Sequence, residues 1–235
     1  MQLLTTKKGL ALNLYIDGSI SAYTPSGRKI DVAVSTEYPK NEKIAIALSL
    51  EESESFELLL RNPEWSKTTA MWVNGESVAV SEGYVSLERE WKSGDLIEIT
   101  LDMRTQVIRP VIYGGQMICA HWVGKEDYVI PEYDIQDEES KRRLAFRRGP
   151  LMLAQENRFG YDVDSPVDID AWDKDYVETP LADGEEIPFE HIVAVKLPLK
   201  SGKYMTVTDY ASSGKLWCDE TKLSVWMLTD GEEKC

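Results

Sequence analysis

The sequence predicts an all-β protein made of two consecutive antiparallel β-sandwich modules of the jelly-roll kind, residues 1–107 and 108–235. Three observations favour this fold class. Short runs with an apolar residue at every second position recur along the chain, as expected for strands that bury one face. Turn dipeptides such as Asn74-Gly75 separate these runs. Long stretches with the 3.6-residue period of an amphipathic helix are nearly absent.

The first module has the clearest strands. Lys29–Thr36, Lys43–Leu50 and Ser55–Arg61 each place three large apolar residues on one face, which is typical of half-buried strands in a sandwich. The full set of strands predicted for this module is Gly9–Ile16, Ser19–Tyr23, Lys29–Thr36, Lys43–Leu50, Ser55–Arg61, Ala70–Val73, Glu76–Val80, Gly83–Arg89 and Leu96–Met103.

The second module is less regular and begins after a pause in the strand pattern at Thr105–Pro110. Val111–Val123 is apolar enough to contain a strand, whereas Tyr128–Lys141 is acidic and predicts a loop. Arg142–Gln155 contains two apolar groups, Leu144–Phe146 and Leu151–Leu153, around Arg147–Pro150. Further strands are predicted at Ile192–Leu197, Lys203–Asp209, Gly214–Trp217 and Leu223–Leu228.

Composition and charge narrow the classes of partner. The chain has 235 residues, 43% of them hydrophobic and 29% charged, which is ordinary for a folded globular protein. Its net charge of −15 argues against a nucleic-acid partner, because binding phosphates requires clustered Lys and Arg. No run approaches the roughly 18 apolar residues of a membrane span, so no membrane partner is expected. No export signal is visible either, which leaves the compartment open and favours the cytoplasm.

Metal and redox chemistry are not indicated. The acidic runs Glu51–Glu57, Asp134–Glu139 and Asp162–Glu190 lack the spacing of a calcium loop and are more often solvated loops. The three cysteines lie far apart without a Cys-x-x-Cys pair. Cys119 is expected to be a small buried apolar residue, and Cys235, as a terminal residue, is expected to be mobile. Cys218 has no nearby cysteine in the sequence.

The catalytic candidates are weak, and none is selected as a catalytic residue. Asp168, Asp170 and Asp173 flank Trp172 and could offer carboxylates beside an aromatic platform, although a solvated loop is the commoner explanation. His121 and His191 fit neither a zinc motif nor a serine-hydrolase motif.

The tryptophans leave two interpretations open. Core or inter-module packing is the commoner role, and a sugar-stacking surface is the alternative, so residues that would bind carbohydrate stay undetermined. Both interpretations apply to Trp65, Trp72, Trp91, Trp122, Trp172, Trp217 and Trp226.

Several blocks resemble one known family. Phe56–Trp65, Trp72–Gly75 and Gly83–Asp95 resemble, in order and spacing, the sandwich that follows the catalytic barrel in glycoside hydrolase family 127, the β-L-arabinofuranosidase-like enzymes. Leu144–Glu156, with its Arg-Gly-Pro turn, is similar to a second block of that family. The tail, Thr208–Lys215 with Val225–Met227, resembles the end of some members.

The resemblance implies an absence of catalytic parts. In that family an α/α barrel carries a cysteine nucleophile and a zinc ion held by further cysteines and a glutamate, with a Cys-Cys pair shortly before the first sandwich strand. This sequence has no such pair, so no catalytic or zinc-binding residue is carried over, and zinc is expected only in the barrel. Met1–Lys8 is interpreted as the end of the barrel's last helix.

The sequence therefore predicts a non-catalytic accessory β-sandwich region of a β-L-arabinofuranosidase-like enzyme that acts on plant-derived arabinose-containing glycans. Its expected partner is the catalytic α/α barrel of the parent enzyme, with a homodimer and direct contact to a plant glycan as further options. The alternatives are a stand-alone carbohydrate-binding module and a free-standing assembly protein.

Overall fold

The computed structural model describes residues 2–110, 112–113, 116–117 and 142–230 of the chain. The chain divides into two compact units, Met1–Met103 and Arg104–Cys235. The described elements are β-strands and the short 3-10 helix Asn157–Phe159, which confirms the all-β fold class. Within these ranges no helix has the length and apolar character required to cross a membrane.

The first unit is a sandwich of two sheets. A four-stranded sheet has the order β1-β2-β6-β9, and a six-stranded sheet has the order β3-β4-β5-β10-β7-β8. Apolar side chains from both sheets form one core cluster, as in aligned sheet packing. The strands are β1 (Leu3–Thr5), β2 (Gly9–Leu12), β3 (Gly18–Tyr23), β4 (Lys29–Thr36), β5 (Lys43–Leu50), β6 (Glu54–Asn62), β7 (Ala70–Val73), β8 (Glu76–Ser77), β9 (Gly83–Trp91) and β10 (Leu96–Thr100).

Strands β4, β5 and β6 alternate buried and accessible residues as the sequence predicts, but β2 does not. All four residues of β2 are buried. The reason is its place in the sheet, where β1 pairs with it on one side and β6 pairs parallel to it on the other. Gly9 makes this close pairing possible, because a Cβ there would lie 1.8 Å from the Glu57 carbonyl oxygen.

The interpretation of Met1–Lys8 as the end of a helix is wrong. Leu3–Thr5 forms β1, which pairs antiparallel with β2 so that Leu3 lies opposite Leu12 and Thr5 opposite Leu10. The edge of β2 provides hydrogen-bonding partners for the backbone of Leu3–Thr5, and this pairing makes the segment a strand.

The second unit contains one eight-stranded sheet with the path β16-β11-β14-β15-β18-β17, onto which β19 pairs with β15 and β20 with β14. Successive parts of β14 and β15 pair with different neighbours, so each of these strands has three partners. The strands are β11 (Thr105–Ile108), β12 (Ile112–Tyr113), β13 (Gln116–Met117), β14 (Arg143–Arg148), β15 (Leu151–Glu156), β16 (Tyr176–Val177), β17 (Ala194–Pro198), β18 (Tyr204–Asp209), β19 (Leu223–Ser224) and β20 (Met227–Leu228).

Several parts of the second unit differ from the sequence-based expectation. The predicted strand Leu223–Leu228 is divided into β19 and β20, which pair with different strands. The predicted pause at Thr105–Pro110 contains β11, which pairs with β14 and β16. The predicted strand Gly214–Trp217 is a turn, because Gly214 has φ 75° and Leu216 has φ 56°, values that no strand accommodates. Cys119, His121, Trp122, Cys235 and the loop at Tyr128–Lys141 lie outside the described residues, as does most of Val111–Val123.

Candidate functional site

Two tryptophans of the first unit pack inside it. Trp91 is completely buried, and its indole N–H donates a hydrogen bond of 3.1 Å to the Phe56 carbonyl. Trp65 is half-buried and stacks on Tyr38 with 6.4 Å between ring centroids and an interplanar angle of 6°. Both side chains have the packing role that the sequence favoured.

Trp172 in the second unit is also a packing residue. Its indole N–H donates a hydrogen bond of 2.7 Å to Thr229 Oγ1, and its ring contacts the apolar core of that unit. The neighbouring carboxylates have their own partners: Asp168 accepts the Ser201 N–H at 3.2 Å and Asp170 pairs with Lys174 at 2.6 Å. Asp168 therefore connects this loop to the turn between β17 and β18, and Asp170 pairs with a residue of the loop itself.

The thiol and imidazole candidates are exposed. Cys218 Sγ lies 3.2 Å from Thr221 Oγ1, and this hydrogen bond lowers the pKa of the thiol from its ordinary value. His191 places Nδ1 3.2 Å from the Phe189 carbonyl oxygen. In the part of the chain that the structure describes, no three His, Cys, Asp or Glu side chains are grouped to bind a metal ion.

A cavity of about 590 Å³ lies in the first unit where β6 ends and β9 begins. Its buried polar groups bind one another. Asn62 donates a hydrogen bond of 2.9 Å to the Ser81 carbonyl and accepts one of 2.7 Å from Thr69, while Ser66 Oγ accepts the Asp102 N–H at 2.7 Å. These buried groups therefore need no ligand to satisfy their hydrogen bonds.

A second cavity of about 540 Å³ lies on the outer face of the six-stranded sheet. Trp72 is half-buried there, whereas its neighbours Met71 and Val73 point into the core. We call this cavity the Trp72 trough; its lining includes Ser35, Lys43, Ala45, Trp72, Glu98 and Thr100.

The strand register places four of these residues in one row. Ser35 of β4 lies opposite Ala45 of β5, Ala45 opposite Glu98 of β10, and Glu98 opposite Trp72 of β7. Trp72 therefore lies outside the core cluster of the first unit, while packing between modules and sugar stacking both stay open for it. The alternation of buried and accessible residues in β7 could have predicted the position of Trp72, because a residue between two core positions of a strand faces outward.

In the second unit, two fully buried carboxylates anchor the loop that follows β18. Asp209 accepts hydrogen bonds from the N–H groups of Ile192, Val193 and Ser212 at 2.9, 3.0 and 2.9 Å. Glu156 accepts the Gly214 N–H at 2.6 Å and the Arg158 Nε–H at 2.7 Å. Among 41 acidic residues, nothing in the sequence distinguished these two.

The anchored loop exposes apolar side chains. Leu216 is 77% exposed with φ 56°, and Trp217 beside it is 59% exposed. A non-glycine residue at positive φ is uncommon, and here it lies within a turn.

Comparisons with known proteins agree with this architecture. Residues 9–103 match the sequence family described as Beta-L-arabinofuranosidase, GH127 middle domain. No curated protein matches the chain.

Solved structures match almost the whole chain. Ara127N-Se, a GH127 β-L-arabinofuranosidase from Geobacillus stearothermophilus T6, is 20% identical with a TM-score of 0.60, over 97% of this chain and 35% of that one. A protein described as a glycoside hydrolase is 19% identical with a TM-score of 0.64, and the match covers 97% of this chain and 37% of that protein. A GH127 β-arabinofuranosidase is 19% identical with a TM-score of 0.60, over 94% and 35%. At these identities the likeness concerns the fold, and the chain spans little more than a third of the proteins it matches.

Proposed function

We propose, on the premise that residues 9–103 resemble the middle domain of glycoside hydrolase family 127, that this chain is a non-catalytic accessory region of a β-L-arabinofuranosidase-like enzyme. The family match is the observation that carries the proposal. The likeness in fold to GH127 structures, over 97% of the chain in the first of them, extends the argument to the second unit.

The use of buried carboxylates supports a scaffolding role. Most glycosidases place two carboxyl groups on either side of the bond to be cleaved, although the family that this sequence resembles is expected to use a cysteine. Asp209 and Glu156 instead direct their oxygens to backbone N–H groups of their own unit and to Arg158. Carboxylates engaged in this way hold a loop and have no free oxygen pair to present to a sugar.

The proposed partner is a catalytic α/α barrel, and the proposed substrates of the assembled enzyme are plant-derived arabinose-containing glycans. The exposed pair Leu216 and Trp217 offers an apolar contact for such a polypeptide. The matched structures are almost three times as long as the part that this chain covers, so their folds include further polypeptide that could supply it.

Hydrolysis assays on aryl α- and β-L-arabinofuranosides, with and without added zinc, test the proposal. The full chain is expected to release no aglycone above the buffer rate. Zinc-dependent hydrolysis that disappears in Cys218→Ser would contradict the proposal, because the thiol would then belong to an active site.

One observation favours a second candidate function, a stand-alone carbohydrate-binding module. The half-buried Trp72 borders an open cavity on a sheet face, where a ring could stack against a sugar.

A further inference from the structure

We propose that the Trp72 trough binds a short neutral glycan, with the Trp72 ring as the stacking surface and Glu98 and Lys43 as hydrogen-bonding groups. The site stands on the geometry of the first unit. Only the choice of an arabinose-containing glycan as the first probe rests on the proposed function.

The trough has a floor and a wall suited to an extended ligand. Its central row runs from Ser35 through Ala45 and Glu98 to Trp72 on four adjacent strands. With strands about 4.8 Å apart, this row is roughly 14 Å long. Ala45 contributes only a methyl group to the floor, so a ligand can approach the sheet between Ser35 and Glu98.

The polar groups of the trough are available to a ligand. Among the described residues, no hydrogen bond or ion pair engages the Glu98 carboxylate, the Lys43 ammonium group or the Trp72 indole N–H. By contrast, the indoles of Trp91 and Trp172 donate to Phe56 and Thr229. A carboxylate accepts hydrogen bonds, whereas an ammonium group or an indole N–H donates them. Sugar hydroxyl groups both donate and accept hydrogen bonds, so they can pair with each of these groups.

The charge of the trough selects the class of ligand. The chain has a net charge of −15, yet the trough is lined by one carboxylate, Glu98, and one ammonium group, Lys43, among otherwise uncharged residues. A phosphate or a metal cation would need an excess of one sign. A neutral ligand with one apolar face and many hydroxyl groups fits the lining, and this is the chemistry of a sugar chain.

The cavity at the end of β6 does not share these properties. Its described lining contains no aromatic side chain, and Asn62, Ser66 and Thr69 hydrogen-bond one another or the backbone, so this cavity offers no ring on which a sugar could stack. This contrast within one unit favours the Trp72 trough.

Calorimetric titration of the full chain with linear arabino-oligosaccharides tests the inference. We expect saturable binding by millimolar concentrations, at least tenfold weaker in Trp72→Ala and clearly weaker in Glu98→Gln. Trp226→Ala, which removes a partly exposed indole of the second unit, is the matched control and should bind as the unchanged chain does. Circular dichroism of each variant establishes whether it is folded. If Trp72→Ala does not fold, Glu98→Gln still tests the inference.

The outcomes separate this inference from the proposed function. Trp72-dependent binding of xylo- or galacto-oligosaccharides instead of arabino-oligosaccharides supports the trough and counts against an arabinose-containing glycan. The absence of saturable binding to all three sugars, or binding unchanged in folded Trp72→Ala, overturns the inference. Neither result alters the hydrolysis assay, on which the accessory role depends.

Discussion

Asp209 shows how a single side chain can fix a loop. Its carboxylate is fully buried and accepts hydrogen bonds from three backbone N–H groups, of Ile192, Val193 and Ser212. A charged acceptor of this kind is worth more than a neutral one, and its loss leaves donors buried without partners. The loop that exposes Leu216 and Trp217 therefore depends on a residue that a ligand would never touch.

Asp209→Asn should lower the free energy of unfolding by about 2–3 kcal/mol, because an amide replaces an acceptor oxygen with a donor that faces other donors. Urea unfolding followed by circular dichroism measures the loss. The exposed Asp173→Asn is the matched control and should change stability by less than about 0.5 kcal/mol. Equal stability of the two variants would show that the Asp209 carboxylate is dispensable.

At the level of secondary-structure elements, the turn between β7 and β8 is stabilised both by its backbone conformation and by side-chain hydrogen bonds. Asn74 has φ 52° and Gly75 has φ 80°, as a two-residue hairpin turn requires. The Asn74 amide also donates to Asp95 Oδ1 at 2.8 Å and accepts the Leu96 N–H at 2.8 Å. The turn thus ties the edge hairpin to the start of β10.

Comparing the stability of Asn74→Ala with that of Asn74→Gly separates the contribution of the positive φ from that of the side-chain hydrogen bonds. Both variants lose the side-chain hydrogen bonds, but only alanine must hold a positive φ, which disfavours it by about 1 kcal/mol relative to glycine. We expect Asn74→Ala to be less stable than Asn74→Gly by that amount in thermal or urea unfolding. Indistinguishable stabilities would mean that the backbone at position 74 relaxes in the variant.

The turn between β3 and β4 is held by Glu54 at the start of β6. Its carboxylate accepts hydrogen bonds from Thr24 Oγ1 at 2.7 Å, Ser26 Oγ at 2.8 Å and the Ser26 N–H at 3.3 Å. Burial by itself would raise the pKa of this carboxyl, but the hydrogen bonds outweigh burial and the pKa lies below the usual 4.5.

Glu54→Gln should therefore have an effect that depends on pH. A carboxyl whose pKa is lower in the folded state stabilises the protein above pH 4.5, and this stabilisation is lost as the pH falls through the folded-state value. The difference in melting temperature between the unchanged chain and Glu54→Gln should be largest near pH 7 and shrink below pH 4.5. A difference that stays constant over this range would contradict the pKa assignment.

At the scale of the whole molecule, the first unit contains a complete core. The buried residues of its cluster all lie between Leu10 and Leu101, and the unit ends at Met103. Apolar burial is the main favourable contribution to folding, so a segment that contributes an entire core has what it needs to fold.

Residues 1–103 expressed alone should give a β-type circular dichroism spectrum and one cooperative urea transition. The matched control, residues 1–95, lacks β10, which pairs with both β5 and β7 in the six-stranded sheet. It should remain unfolded. A gradual transition for 1–103, or equal stability of both fragments, would show that the unit is not an independent folding unit.

The strands of the first unit were largely predictable, and the candidate site was only partly so. Lys29–Thr36 and Lys43–Leu50 have the predicted bounds because their alternation is a local property that survives in any sheet. The turn at Gly214–Trp217 was not predicted, since it is shaped by the distant Glu156, which accepts the Gly214 N–H. Trp72 was singled out in advance, but the trough beside it depends on the register of four strands.

The all-β class, most strands and turns of the first unit and the resemblance to a family of glycoside hydrolases were predictable from local patterns, because periodicity and turn chemistry act between residues close in sequence. The three-dimensional fold was needed to establish that β2 runs parallel to β6, that Leu3–Thr5 is a strand, and that Asp209 and Glu156 are buried. These features depend on which distant segments meet. The hydrogen-bonding partner of a strand edge or of a buried donor can lie anywhere in the chain, so local sequence patterns do not predict it.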